Sequence, residues 1–147
     1  MKPPILRVKA LRESAVLPAY GSAYAAGADL CACIDEAWLI QPGETRLVPT
    51  GLAIEIPAGY AGLIYARSGL ASKRGLAPAN KVGVVDADYR GEVMVALHNH
   101  SNEAQEIAPG ERIAQLVVTP FLQVNYEWAE ALQDTERGAG GFGSTGR

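Results

Sequence analysis

No stretch of this chain runs far without a glycine or a proline. Pro18, Gly21, Gly27, the Pro42-Gly43 pair, Pro57 with Gly59, Gly75, Pro78, Gly91 and the Pro109-Gly110 pair punctuate it at short intervals. Both residues interrupt helices and ladders, so the elements between them must be short. What lies between is rich in β-branched residues or alternates in polarity: "ILRVKAL", "TRLVPTGLAIEI", "GLIYAR", "EVMVALHN" and "RIAQLVVTP". Over 92–99, Val93, Val95 and Leu97 share one face of a strand, while Met94, Ala96 and His98 share the other. Many short strands separated by turn signals predict an all-β fold, a sandwich, jelly roll or barrel.

Helix signals are sparse. "SGLASKRG", over 68–75, predicts a turn or two of helix with Ser68 as cap and Gly75 as stop. "NYEWAEALQDTERG", over 125–138, has helical propensity but opens like a strand, and both readings stand. After Gly138 the composition shifts to glycine and small residues with no apolar face, which predicts a flexible tail. A length of 147 residues suits one domain, without repeat or dividing linker. The predicted organisation is a β-barrel body over 1–136 and a mobile glycine-rich segment over 137–147.

A net charge of −3 argues against a nucleic-acid partner, which would favour a basic face. Arg7, Lys9 and Arg12 break any apolar leader, and no run approaches the ~20 apolar residues of a membrane helix. A cytoplasmic protein with no membrane partner is expected. Cys31 and Cys33 stand too close in sequence to bridge readily and lack partners at zinc spacing. Two reduced, mostly buried thiols are expected, consistent with a reducing compartment.

Five segments could carry chemistry. In "GLIYARSGLASKRG" a strand runs into Arg67-Ser68-Gly69, which offers a planar fork of donors, a hydroxyl and close backbone approach. That suits a phosphate; the same residues also suit a plain strand-to-helix turn. In "NKVGVVDADYRGEV" an apolar strand delivers Asp86 at its end, where a buried carboxylate is costly without a task or partners. It could be a general base, with Tyr89 as a flat wall, or a simple turn residue. Asp29 in "AAGADLCA" and Arg112 with Gln115 in "RIAQLVV" are weak signals alone. The tail "RGAGGFGSTGR" lacks the lysine of a nucleotide P-loop and no helix follows it, yet Arg137 and Phe142 are odd in a linker. His98 and His100 in "LHNHS" have no carboxylate cluster nearby in sequence and read as surface or subunit-contact residues.

Taken in order, "AGADL", "GLIYARSGLA", "NKVGVVDADYRGEV", "ERIAQLVV" and "RGAGGFGSTG" resemble the five motifs of the trimeric deoxyuridine triphosphatase (dUTPase) family. The resemblance spans nearly the whole chain. It implies a distorted jelly-roll protomer with one short helix, a homotrimer with active sites shared between subunits, and hydrolysis of dUTP to dUMP and pyrophosphate. That activity keeps uracil out of DNA and supplies dUMP for dTMP synthesis. Asp86 would activate the water that attacks the α-phosphorus. Arg67, Ser68, Gly69 and Gln115 would hold phosphates, and Asn80 with the backbone of Val84 and Val85 would read uracil, Gly83 letting the hairpin pack closely. Tyr89 would lie beneath the deoxyribose, with Met94 nearby. Phe142 would stack on the base, while Arg137, Gly143, Ser144 and Thr145 close over the phosphates as a lid. Mg²⁺ would be held by phosphates and water, with no direct protein ligand and Asp29 touching it only through water.

Two rivals share these features. A dCTP deaminase of the same fold would need a glutamate near the base, and Glu92 is the sole candidate by the third motif. A regulatory nucleotide-binding module would keep the fold without the catalysis, yet Asp86 and the tail are both present. Lys81, where a small residue is expected, should point to solvent.

Overall fold

The computed structural model describes residues 2–146; Met1 and Arg147, the last residue of the predicted lid, lie outside them. Eleven short strands and one helix follow the glycine and proline punctuation. They are β1 (Arg7–Ala10), β2 (Ala19–Tyr20), β3 (Ala28–Cys31), β4 (Trp38–Ile40), β5 (Thr45–Glu55), β6 (Tyr60–Tyr65), α1 (Ser68–Arg74), β7 (Leu76–Pro78), β8 (Gly83–Val85), β9 (Glu92–Asn99), β10 (Gln105–Ile107) and β11 (Arg112–Pro120). All pairings are antiparallel. One sheet runs β1-β5-β9-β7, a second runs β2-β3-β11-β6-β8, and β10 pairs with β4. The predicted all-β class and single short helix are what the chain forms.

The inward faces of both large sheets meet in one aliphatic core. Val48, Leu52, Ile54, Val93, Val95 and Leu97 come from the first sheet, and Leu30, Ile64, Ile113 and Leu116 from the second. The alternation read over 92–99 holds: Val93, Val95 and Leu97 are buried while Met94 is exposed. Each such aliphatic contributes about 1.5–3 kcal/mol by leaving water.

Two polar residues inside this core are fully partnered. The register of β5 against β9 breaks between Pro49 and Ala53, a bulge at which Thr50 is buried. The Thr50 hydroxyl donates to the Val93 carbonyl at 2.6 Å, and the Gly51 amide donates to a Glu92 carboxylate oxygen at 2.8 Å. Asn99 is completely buried at the end of β9. Its amide nitrogen donates to the carbonyls of Ile40 (2.9 Å) and Glu103 (2.7 Å). Its side-chain oxygen accepts from the Ser101 amide (2.9 Å) and hydroxyl (2.7 Å). One asparagine thereby ties β9, β4 and the loop before β10 together.

Helix α1 departs from its predicted cap. Arg67, not Ser68, occupies the N-cap position, in extended conformation and without a side-chain capping bond. Ser68 is the first helical residue, so its hydroxyl is not used on the helix's own amides. The predicted stop holds: Gly75 is left-handed (φ 68°), and its N–H donates to the Leu70 carbonyl. Among the described residues beyond Pro120 there is neither helix nor strand, so the segment over 125–138 takes neither of its two readings. No helix among the described residues is long and apolar enough to cross a membrane.

Candidate active site

The first group of predicted residues gathers where β6 ends, against β3 and β11. Register places Asp29 opposite Gln115, and Gln115 opposite Tyr65. Arg67, two residues past Tyr65, donates its Nε to Asp29 Oδ1 at 3.0 Å, while Arg112 reaches Asp29 Oδ2 at 3.6 Å. Asp29 is thus a partly buried anion between two guanidiniums. Because Arg67 is held through Nε, its terminal nitrogens make no ion pair or hydrogen bond among the described residues. Gln115 donates to the Ala66 carbonyl at 2.8 Å. It lies flat over Gly27, where any Cβ would collide with it. Ser68 and Gly69 open α1 immediately beside Arg67. The far end of the helix is pinned by Arg74, which donates to Glu111 at 3.1 Å and to the carbonyl of Glu106.

The second group lines one cavity of about 250 Å³: Asn80, Gly83, Val84, Val85, Asp86, Tyr89 and Met94, together with Ile64, Glu92 and Val93. The edge strand β8 lies along β6 with Gly83 opposite Ile64 and Val85 opposite Gly62. A Cβ at Gly83 would stand 3.3 Å from Asn80 Nδ2, so the glycine lets the asparagine amide lie close to the strand. Asp86, however, is not at the end of a buried strand. It is exposed, as is Val84, and only Val85 of the strand is buried. The reason is topological: β8 is an edge strand with one face on the core and one face open. The Asp86 carboxylate has no hydrogen-bond or ion-pair partner among the described residues. Lys81 points to solvent as expected, at a positive φ of 66°.

The third group stands apart. Arg137 donates its Nε to the Gly140 carbonyl at 2.7 Å, and successive turns bond Gly140, Ser144 and Gly146 amides to carbonyls within the tail. Phe142, Gly143, Ser144 and Thr145 line a hollow bounded entirely by residues between Thr135 and Thr145. Phe142 is fully exposed. Among the described residues, no hydrogen bond or ion pair joins the tail to either other group.

Among the described residues, no cluster of three or more His, Cys, Asp or Glu is placed to hold a metal ion. Cys31 and Cys33 are both free thiols, Cys33 buried and Cys31 partly so. Burial pushes the Cys31 thiol up, and the Asp29 charge adds to it, against a smaller opposite pull from Arg112 and Arg67. His98 accepts or donates at 2.8 Å to the Thr45 hydroxyl on the outer sheet face. Three residues shape the site in roles that the sequence does not give them. Glu92 fastens the β5 bulge, Arg112 shares Asp29, and Arg74 anchors α1.

Fold and site together define an antiparallel jelly-roll class of protein with an arginine–serine–glycine turn at the end of β6 and a cavity along the edge strand β8. The comparisons with known proteins narrow this further. A family model described as dUTPase matches residues 13–146. The deoxyuridine 5'-triphosphate nucleotidohydrolase of Nautilia profundicola is 53% identical over 142 residues, covering 97% of this chain and 99% of the relative. Among solved structures, a point mutant of the Staphylococcus bacteriophage 80alpha dUTPase with dUpNHpp superposes with a TM-score of 0.88 at 30% identity, covering 99% of this chain and all of the other. A mutant dUTPase from phage phi11 of S. aureus, described with a structural Mg(II) ion, gives a TM-score of 0.77 at 27% identity, covering 87% of this chain and 98% of the other. This chain belongs to the dUTPase family.

Proposed function

We propose that the chain hydrolyses dUTP to dUMP and pyrophosphate, with Asp86 as the general base for the attacking water and the α-phosphorus as the point of attack. One observation carries this reading: Asp86 shares a single cavity with Asn80, Tyr89, Met94 and the backbone of β8. A carboxylate free of partners is open to an incoming water, whereas one held by arginines is already engaged. Asp29 is of the second kind and Asp86 of the first. Asn80 and the main chain of Val84 and Val85 present donors and acceptors to the edge of a base. The extra methyl of thymine would clash with this hairpin, and cytosine offers the wrong pattern of donors and acceptors.

Arg67, Ser68, Gly69 and Gln115 hold phosphates from a body that is already ordered. Arg137, Ser144 and Thr145 add donors from the tail, and Phe142 stacks on the base once the lid over 137–147 closes. The residues fit Mg²⁺ only at one remove. Asp29 already faces two arginines and so suits a hydrogen bond to metal-bound water better than direct ligation. When bound by the triphosphate, the ion offsets phosphate charge.

The three groups sit on separate parts of one chain, and each lacks what the others supply. That supports a homotrimer whose sites are completed by neighbouring copies. The run past Pro120 agrees with it: Leu122, Tyr126, Trp128 and Leu132 are almost wholly exposed, apolar surface that a second copy would cover. Glu92 does not support deaminase chemistry. Its carboxylate holds the Gly51 amide at 2.8 Å and faces Arg12 at 4.0 Å.

The test is pyrophosphate release from dUTP with Mg²⁺. Asp86→Asn should lower kcat by about 10²–10⁴-fold while dUTP binding changes little. Equal rates for the two proteins would remove Asp86 from the chemistry. Light scattering should give three times the 15.5 kDa chain mass.

A further inference from the structure

Gly91 sits two residues after Tyr89, at the end of the turn that carries Asp86. Its backbone does not need glycine: its φ is not among the positive values that L-residues avoid. What needs glycine is the tyrosine ring. Tyr89 folds back over Gly91 so closely that an added Cβ would meet its Oη at 2.5 Å, Cζ at 2.7 Å and Cε1 at 3.0 Å. The same Oη donates to the Glu92 carbonyl at 2.8 Å. The turn beneath is stapled by Arg90, whose NH1 donates to the carbonyls of Ala87 (2.7 Å) and Tyr89 (3.2 Å). The ring is therefore held from below by bare backbone and at its tip by a hydrogen bond, and it lines the cavity of Asn80 and Asp86.

We propose that Gly91 is a specificity-determining positioning residue: it seats the Tyr89 ring, and the Glu92 carbonyl locks it there, so that the wall facing the sugar is rigid. This rests on the function proposed above. A ring that cannot retreat excludes a 2′-hydroxyl; a ring displaced from its seat and freed from its anchor yields to one. Because the obstacle to a side chain at position 91 is the far end of a side chain and not backbone, Gly91→Ala should fold and move the ring.

The experiment measures kcat/KM for dUTP and UTP in wild type, Gly91→Ala, Tyr89→Phe, Tyr89→Ala and the Gly91→Ala/Tyr89→Ala double variant, with thermal melts alongside. In Gly91→Ala the preference for dUTP over UTP should fall by about tenfold or more. Tyr89→Phe, which keeps the ring and loses the anchor, should move it the same way by less. In the Tyr89→Ala background, Gly91→Ala should change the preference by less than about twofold, since its effect passes through the ring. A preference unchanged or raised in folded Gly91→Ala overturns the proposal, and so does an effect of Gly91→Ala that persists without the tyrosine. If Gly91→Ala does not fold, Tyr89→Phe decides: a lowered preference supports the anchor and an unchanged one overturns it. A wild type that releases no pyrophosphate from dUTP overturns the underlying function as well, a result distinct from lost sugar preference in an active enzyme.

Discussion

Two arginines assigned to phosphates, Arg67 and Arg137, are held in opposite ways. Arg67 is aimed by Asp29 from inside a folded body, with β3, β6 and β11 fixing both partners. Among the described residues, the Arg137 guanidinium bonds only to a carbonyl three residues along its own exposed tail. Under the proposed function the first is oriented before any ligand arrives, and the second must reorganise to reach one. Preorganised donors lower a barrier without an ordering cost at the moment of reaction. A lid arginine contributes only after closure, which makes its contribution conditional on the rest of the ligand.

The contrast can be broken most sharply by removing residues 137–147. Under the proposed reading, kcat/KM for dUTP should fall by about 10²–10³-fold. The melting temperature should stay within about one degree, because among the described residues the bonds of the tail reach no further than Thr135. A melting point several degrees lower would show that tail and body are coupled. Asn99→Ala should do the reverse. It strands buried groups that now form four hydrogen bonds, and should cost about 3 kcal/mol in urea unfolding. Asp29→Asn tests the aiming itself. It should raise KM for dUTP and lower kcat/KM by about tenfold, with a stability loss of about 1 kcal/mol because the pair is only partly buried. No change in KM would mean that Arg67 needs no guide.

The smallest effect concerns Cys31, beside the same charge pair. Its thiol is raised by burial and by Asp29, so the folded chain holds that proton more tightly than the unfolded chain does. The stability this provides is complete below the ordinary thiol range and is lost as pH climbs through the raised value. Iodoacetamide should label Cys31 at pH 8 more slowly than the same residue in urea, and the difference should shrink as pH rises. Equal rates would remove the shift.

Much of the body is legible in the sequence because its physics is local. Glycine and proline set where strands stop, the two-residue alternation over 92–99 sets which side faces inward, and Gly75 ends the helix. The family resemblance nominates the site groups, and the cavity of β8 brings seven of those residues together. The misses are of another kind. An apolar strand leading into Asp86 implies burial, but sequence does not reveal that β8 is an edge. Asn99 hides between two histidines, although extending the phase of Val93, Val95 and Leu97 by two residues places it inside. Propensity does not resolve the segment over 125–138, since within one chain its apolar side chains meet no surface. Residue type makes Ser68 a cap, whereas Arg67 takes the extended cap position with its side chain bonded to Asp29.

Glu92 faces two ways. Its main-chain oxygen receives the Tyr89 hydroxyl, and its carboxylate receives the Gly51 amide in the kink of β5. The bulge of β5, 41 positions earlier in the chain, is thereby linked through one residue to the Tyr89 ring, which the proposed function sets beside the sugar. Selection for a variant that accepts ribonucleotides should recover substitutions at Thr50 and Gly51, residues that line no part of the pocket they would retune.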